Sequence, residues 1–212
     1  MPRDPEAAGV TARRFFEELW AEKDPWDLET SELDQHRYAR QVALLADRRY
    51  RRALEPGCGA GSFTRHLSRL CGSVVAVDIA ESAVVRAREE HFGLPGVEFR
   101  VANVMEMDVQ AEGPWDLVVL AETAYYLGWL YPLFDLGWLA HGLFEATAPD
   151  GRLLLSNTIH SENGIMSPWL IRTYRDLFAH VGYDLEVEET VRGTKNTVEF
   201  DILLSLLRKG GG

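Results

Sequence analysis

The stretch Leu54-Glu55-Pro56-Gly57-Cys58-Gly59-Ala60-Gly61-Ser62-Phe63-Thr64 sets an acidic residue and three alternate glycines between an apolar run and an amphipathic one. It reads as a turn that leaves a strand and opens a helix against a nucleotide. Glycine tolerates positive φ and carries no Cβ, so such a backbone bends sharply and lies flat against a ligand. A dinucleotide fold uses G-x-G-x-x-G, with the pyrophosphate on the helix N-terminus. Here the spacing is E-x-G-x-G-x-G. A carboxylate at Glu55 would repel a pyrophosphate but attract a ligand carrying an ammonium and a sulfonium, which points to S-adenosylmethionine.

The rest of such a site is present downstream. Cys71-Gly-Ser-Val-Val-Ala-Val-Asp78 is a β-branched run ending in an acid, the position from which a carboxylate accepts ribose hydroxyls. Val97-Glu-Phe-Arg-Val-Ala-Asn103 alternates and ends in a side chain able to bond an adenine edge. Pro114-Trp-Asp-Leu-Val-Val-Leu-Ala-Glu122 reads as a buried, nearly continuous strand. Strands separated by helical patterns, each ending in a polar residue, line up their carboxyl ends where an open α/β sheet binds its ligand.

On these residues the chain resembles the class I S-adenosylmethionine-dependent methyltransferases. Glu55 to Gly61 look like the first motif, Asp78 the acidic second, and Ala102-Asn103-Val104 the adenine loop. Asp116 to Leu127 look like the fourth motif, and Pro149-Asp150-Gly151 the turn before strand five. Asn103 stands where many relatives carry Asp, and it can still exchange hydrogen bonds with adenine. Upstream, Asp24-Pro-Trp-Asp-Leu-Glu-Thr-Ser31 followed by Arg37-Tyr38 is similar to the nodulation protein S family of N-methyltransferases, which methylate an amino sugar in a chitin-like oligosaccharide. The resemblance implies a Rossmann-like α/β fold: a seven-stranded, mostly parallel sheet, an antiparallel C-terminal hairpin and an N-terminal helical cap. It further implies a cofactor site built from Glu55, Gly57, Cys58, Gly59, Gly61, Asp78, Ile79, Asn103, Val104 and Ala121.

Bulk properties agree with one domain of this kind. The 212 residues suffice for a sizeable core, and a hydrophobic content of 46% is ordinary for a globular chain. No apolar stretch approaches a membrane span and the N-terminus lacks a signal peptide's apolar segment, so the expectation is a cytoplasmic protein with no membrane partner. Cys58 and Cys71 have no metal-site spacing, which predicts two reduced thiols and no metal. Cys58 as a nucleophile is disfavoured against a small side chain tolerated in the glycine turn. A net charge of −11 disfavours nucleic acid and mildly favours cationic substrates.

The pattern divides the chain into a helical cap over residues 1–48, a cofactor-binding core over 49–158 and an acceptor-side helix with a hairpin over 159–212. The cap predicts helices from about Thr11 to Lys23 and, after Ser31 as N-cap, to Asp47. Strands are expected over Arg52 to Glu55, up to Asp78, over Val97 to Val101, Asp116 to Leu120 and Arg152 to Asn157. Helices fall over the segment up to Leu70, Glu81 to Phe92, Tyr131 to Thr147 and Pro168 to His180. Tyr183 to Arg192 and Thr197 to Leu207 read as strands joined at Gly193-Thr194-Lys195. Gly210 to Gly212 reads as a frayed tail.

Methyl transfer needs a lone pair held in line with an activated methyl and water kept out. Candidate catalytic residues at the strand ends are Glu122, Tyr126 beside Tyr125, and His160. Trp26, in a polar loop, is expected to cover the cofactor, with Arg37 or Tyr38 reaching its carboxylate. The stretch from His160 to Pro168 is expected to form an acceptor lid, with Trp169, Arg172 and Tyr174 lining the pocket behind it. The leading reading is N-methylation of a small polar, sugar-like amine by a monomer or homodimer. O-methylation, with His160 as base, and non-catalytic binding of the methyl donor remain open, while Glu55 disfavours a nicotinamide oxidoreductase.

Overall fold

The computed structural model describes residues 5–161 and 167–210. Its chain runs α1 (Pro5–Leu19), α2 (Glu32–Leu45), β1 (Tyr50–Pro56), α3 (Thr64–Leu70), β2 (Cys71–Asp78), α4 (Glu81–Glu90), β3 (Val97–Val101) and β4 (Trp115–Ala121). It continues through α5 (Ala124–Leu130), α6 (Leu133–Ala146), β5 (Thr147–Ser161), α7 (Pro168–His180), β6 (Tyr183–Lys195) and β7 (Val198–Lys209). One seven-stranded sheet results, in the order β3-β2-β1-β4-β5-β7-β6. Strands β1 to β5 pair in parallel, while β7 runs antiparallel to both β5 and β6.

Alternation in the central strands builds two cores from one sheet. Val118, Leu120, Leu153 and Leu155 face α5, α6 and α7. Leu117, Val119 and Leu154 face the opposite way, toward Leu45 and Tyr38 of α2 and Leu67 of α3. Burial on both faces is why these strands read as continuous apolar runs. The chain winds outward from β1 through β2 to β3 and then returns to β4 on the other side of β1. That reversal opens a crevice at the carboxyl ends of β1 and β4.

Several boundaries differ from the sequence reading. Helix α1 ends at Leu19, earlier than expected, and Pro132 at the N-cap delays α6 to Leu133. The segment after β4, read as a turn, is helix α5. Its aromatics and Gly128 hid it, and that glycine is required because a Cβ there would meet the Tyr174 hydroxyl of α7. Strand β5 starts at Thr147 and absorbs Pro149-Asp150-Gly151, taking the expected turn as an irregularity where its register against Trp115 and Leu117 shifts. Ser31 caps α2 as expected, accepting the Asp34 N–H at 3.2 Å. The segment 162–166 of the expected lid and residues 211–212 of the tail lie outside the described residues.

The hairpin turns two residues later than expected, at Asn196-Thr197, with φ of +50° and +68°. Paired positive φ is the geometry that suits the twist of a two-residue hairpin. A β-branched residue there is strained by roughly 1–2 kcal/mol. Thr197→Gly should therefore stabilise the protein by about 1 kcal/mol, read as a higher denaturation midpoint at unchanged slope.

Candidate functional site

The glycine turn is tied to the end of β2. Gly57 N–H and Cys58 N–H both donate to the Val77 carbonyl, at 2.8 and 3.0 Å. Gly59 N–H donates to Asp78 Oδ2 at 2.9 Å, and Ala80 N–H donates to Oδ1 at 3.0 Å. Gly57, Gly59 and Gly61 take φ of +75°, +53° and +86°. A Cβ on Gly59 would stand 2.6 Å from the ring of Trp20, which lies buried across Ala60, Ala80 and Ala83. Burial raises the Asp78 pKa, and the N–H donors of Ala80, Gly59 and Ile79 pull against that rise.

Glu55 sits beneath this turn, 3% exposed, where the Thr64 hydroxyl donates to Oε2 at 2.5 Å. Burial pushes its pKa up to about 8, opposed by the Thr64 bond and helped by the nearby Asp78. The Cys58 thiol is buried and its pKa driven up by burial and by both carboxyls, which disfavours the thiolate.

A cavity of about 690 Å³ opens over these groups, within the usual range of small-molecule sites. Its floor holds Glu55, Gly57, Cys58, Gly59, Asp78, Ile79, Asn103, Val104, Ala121 and Glu122, while Trp20, Trp26, Arg37 and Tyr38 come from the cap. Tyr125 and Tyr126 of α5 close a side, and Lys195 and Asn196 reach in from the β6–β7 turn. The Asn103 amide is engaged by its own surroundings: Nδ2 donates to Glu106 at 2.8 Å and to the Tyr131 hydroxyl at 2.9 Å, and Oδ1 accepts from Met105 N–H at 3.1 Å.

A chain of charges runs along the cavity wall. Lys195 Nζ pairs with Asp34 Oδ2, Asp34 Oδ1 with Arg37 at 2.7 Å, and Arg37 with Glu122 Oε1 at 3.0 Å. Glu122 Oε2 then accepts from the Thr158 N–H at 3.2 Å and hydroxyl at 2.9 Å. Burial works against the Arg37 charge, but Glu122, Tyr38 and Asp34 outweigh it and the guanidinium pKa is raised. Burial likewise lifts Tyr38 to about 12, its ring stacked on Phe63 at 5.6 Å. Glu122 holds φ of +52°, a strained conformation for a residue with a side chain. Arg37 is thus a charge pivot inside the wall, beyond the ligand contact expected of it.

Some expected residues are not brought together: Gly61 packs against His91 and Phe99 and does not line the cavity. His160 is exposed and outside the cavity, because the register shift in β5 between Thr158 and His160 breaks the alternation and leaves Thr158 and Ser161 on the cavity side. Trp169 is 70% exposed, Arg172 faces outward, and Tyr174 is buried in the core beneath α5, so none of these three lines the pocket. Residues that sequence reasoning missed include Trp20, Lys195 and Thr158. The aromatics Phe15 and Phe16 in α1, with Trp20 just beyond it, were the available signal for the first, but no local signal marked the other two.

The sequence profile described as "Nodulation protein S (NodS)" matches residues 10–156. "Nodulation protein S" of Sinorhizobium fredii is 30% identical over 140 residues, covering 66% of this chain and 62% of that protein. Its counterpart in Bradyrhizobium diazoefficiens is 30% identical over 145 residues, covering 68% and 67%. The chain thus spans about three fifths to two thirds of the length of these relatives. A solved N-methyltransferase NodS from Bradyrhizobium japonicum WM9, in complex with S-adenosyl-L-homocysteine, superposes with a TM-score of 0.78 over 93% of this chain and 98% of that one at 20% identity. At that identity the match establishes the shared fold.

Glu55 gives the site a pH signature. Its native pKa of about 8 lies above the ordinary 4.5, so between those values the unfolded chain has lost a proton that the native state keeps. Stability from this group is therefore complete below about 4.5 and falls as pH rises toward 8. Glu55→Gln removes the titration. Denaturant curves for the two proteins should diverge in the variant's favour across that window, and parallel curves would show that Glu55 is not a protonated buried acid.

Proposed function

The chain belongs to the nodulation protein S family, and from that premise we propose that it transfers a methyl group from S-adenosylmethionine to an amine nitrogen. The acceptor we propose is a small polar metabolite of amino-sugar or aminoglycoside type. The observation that carries the reading is the acid, glycine turn and acid formed by Glu55, Gly59 and Asp78, facing one cavity with Glu122 and the cap aromatics.

The residues fit the methyl donor. Gly57 and Gly59 let the turn bend at positive φ and pack closely against Thr123 and the Trp20 ring at the cavity, and Asp78 offers carboxylate oxygens suited to ribose hydroxyls. Asn103 and Val104 border the adenine end. Glu55, a buried acid held protonated near neutrality, suits a ligand that brings a positive charge, since a cation beside it favours the carboxylate. Trp20 and Trp26, edge to face at 5.5 Å, cover the turn and keep water from the reacting atoms. When bound, the donor supplies a sulfonium-activated methyl, so the protein needs little covalent chemistry.

The protein's own part is to gather and orient the amine. Glu122 gives the acceptor end a carboxylate that draws an ammonium, and Arg37 with Thr158 fixes its direction. Tyr126 walls this end, its pKa raised by burial, so it acts as a neutral hydroxyl. What supports nitrogen over oxygen is the Glu122 carboxylate at the acceptor end, which suits an ammonium, together with the shared fold of a solved N-methyltransferase NodS.

The test is methyl transfer from S-adenosylmethionine to a panel of amino sugars, aminoglycosides and matched hydroxyl analogues. Amines should turn over, with rate rising until the acceptor is mostly neutral, because only the free lone pair attacks. Methyl on oxygen would reverse the acceptor assignment, and donor binding with no turnover on any acceptor would leave a binding protein.

Donor binding should release a proton near pH 7 as Glu55 ionises, seen as heats that change between buffers of different ionisation enthalpy. Asp78→Ala and Gly59→Val should each weaken binding about tenfold or more. Tight binding of NAD in place of the methyl donor would refute the reading.

A further inference from the structure

The acceptor end of the cavity is unusual in what it lacks. A primary ammonium is best held by several hydrogen-bond acceptors, because it carries three N–H donors. Glu122 is the carboxylate there: Thr158 takes its Oε2, and its Oε1, ion-paired with Arg37, accepts no hydrogen bond and is a single acceptor for three N–H donors. The Tyr125 and Tyr126 rings lie 4.4 Å apart, inclined at 42°.

What the end has instead is ring surface. Tyr126 meets Phe16 at 5.0 Å and 81°, and Trp129 at 5.5 Å and 89°. Phe15 stands 6.5 Å away, inclined at 51°, and Trp26 approaches from the cap loop. All five line the same cavity as Glu122. Near-perpendicular rings that share a cavity with a half-buried carboxylate are suited to a cation whose charge is spread over methyl groups, because ring faces attract charge without needing an N–H donor. Exchanging N–H for N–CH₃ costs little here, whereas it weakens a site built on acceptors.

Resting on the reading that the substrate is an amine, we propose that Phe15, Phe16, Trp26, Tyr126 and Trp129 form an aromatic cage for N-methylated ammonium groups, so that the product of one transfer is an acceptor for the next. In each round the nitrogen lone pair forms an N–C bond as the S–C bond breaks. The electron pair of that bond stays on sulfur and S-adenosylhomocysteine leaves. A primary or secondary amine then loses a proton to solvent before the next round, while a tertiary amine becomes quaternary with none to lose.

The first measurement is independent of turnover. Protein saturated with S-adenosylhomocysteine is titrated with ethanolamine, choline and 3,3-dimethylbutan-1-ol, the last being the neutral isostere of choline. Choline should bind about tenfold tighter than either, Trp129→Leu should abolish the difference, and Trp129→Phe should keep most of it. Trp129 is 43% exposed, so the substitution spares the core. Equal binding of choline and its neutral isostere, or tighter binding of ethanolamine, overturns the cage.

The second measurement follows product mass on an amine that turns over. Dimethylated or trimethylated product should accumulate, and Trp129→Leu should raise the share of monomethylated product. A single methyl added, with the monomethylated amine inert, overturns the proposal while leaving amine methylation intact. Absence of transfer to every amine instead defeats the underlying reading, whatever choline binding shows.

Discussion

The buried guanidinium of Arg37 is the point on which the cavity depends. It joins Asp34 on its own helix to Glu122 at the end of β4, and through Asp34 it reaches Lys195 at the hairpin turn. Three segments far apart in sequence thereby meet around one enclosed space. None of these charges is cheaply buried alone, and removing one partner from such a set typically costs about 3–5 kcal/mol, because it strands the others away from water. The same set explains how Glu122 tolerates φ of +52°. The strain is held by Arg37 on one carboxylate oxygen, Thr158 on the other, and the Glu122 N–H donated to Ser156 at 2.6 Å.

The parts of this design legible in the sequence are those with local causes. The glycine turn, the acid at Asp78 and the limits of β3 follow from backbone preference and period-two alternation over a few residues. The Ser31 cap is equally local. Lys195 was not legible as a site residue, because its partner Asp34 lies 161 positions away and nothing around Gly193-Thr194-Lys195 differs from an ordinary turn. His160 failed for the opposite reason. Its neighbourhood read as a strand end at the right height, but one register shift in β5 turned it outward. Helix α5 was hidden because its aromatic face owes its conformation to packing against α7 and α1, which local propensity does not report.

The cap, expected to stand over the site, lines the cavity with a different ring foremost. The sequence pointed to Trp26 as the cover, yet Trp20 is the side chain seated on Gly59, with Trp26 packed edgewise against it. The cover is therefore two rings deep, and its inner ring is fixed by Ala60, Ala80 and Ala83, whose small side chains admit it. A larger residue at any of these would lift the ring from the turn and open the floor to water.

Apolar enclosure and buried charge then act together. Water kept out by the rings leaves Glu55 and Asp78 in a medium where each carboxyl resists ionising, which is why both pKa values rise. In that medium a bound positive charge interacts more strongly than it would in water. An empty site therefore favours a protonated Glu55, and a cation arriving above it reverses that preference. On the proposed reading, recognition of the charge and loss of the proton are coupled, since a cation held beside Glu55 favours its carboxylate. A neutral ligand would leave the Glu55 proton in place and gain nothing from the acid beneath it.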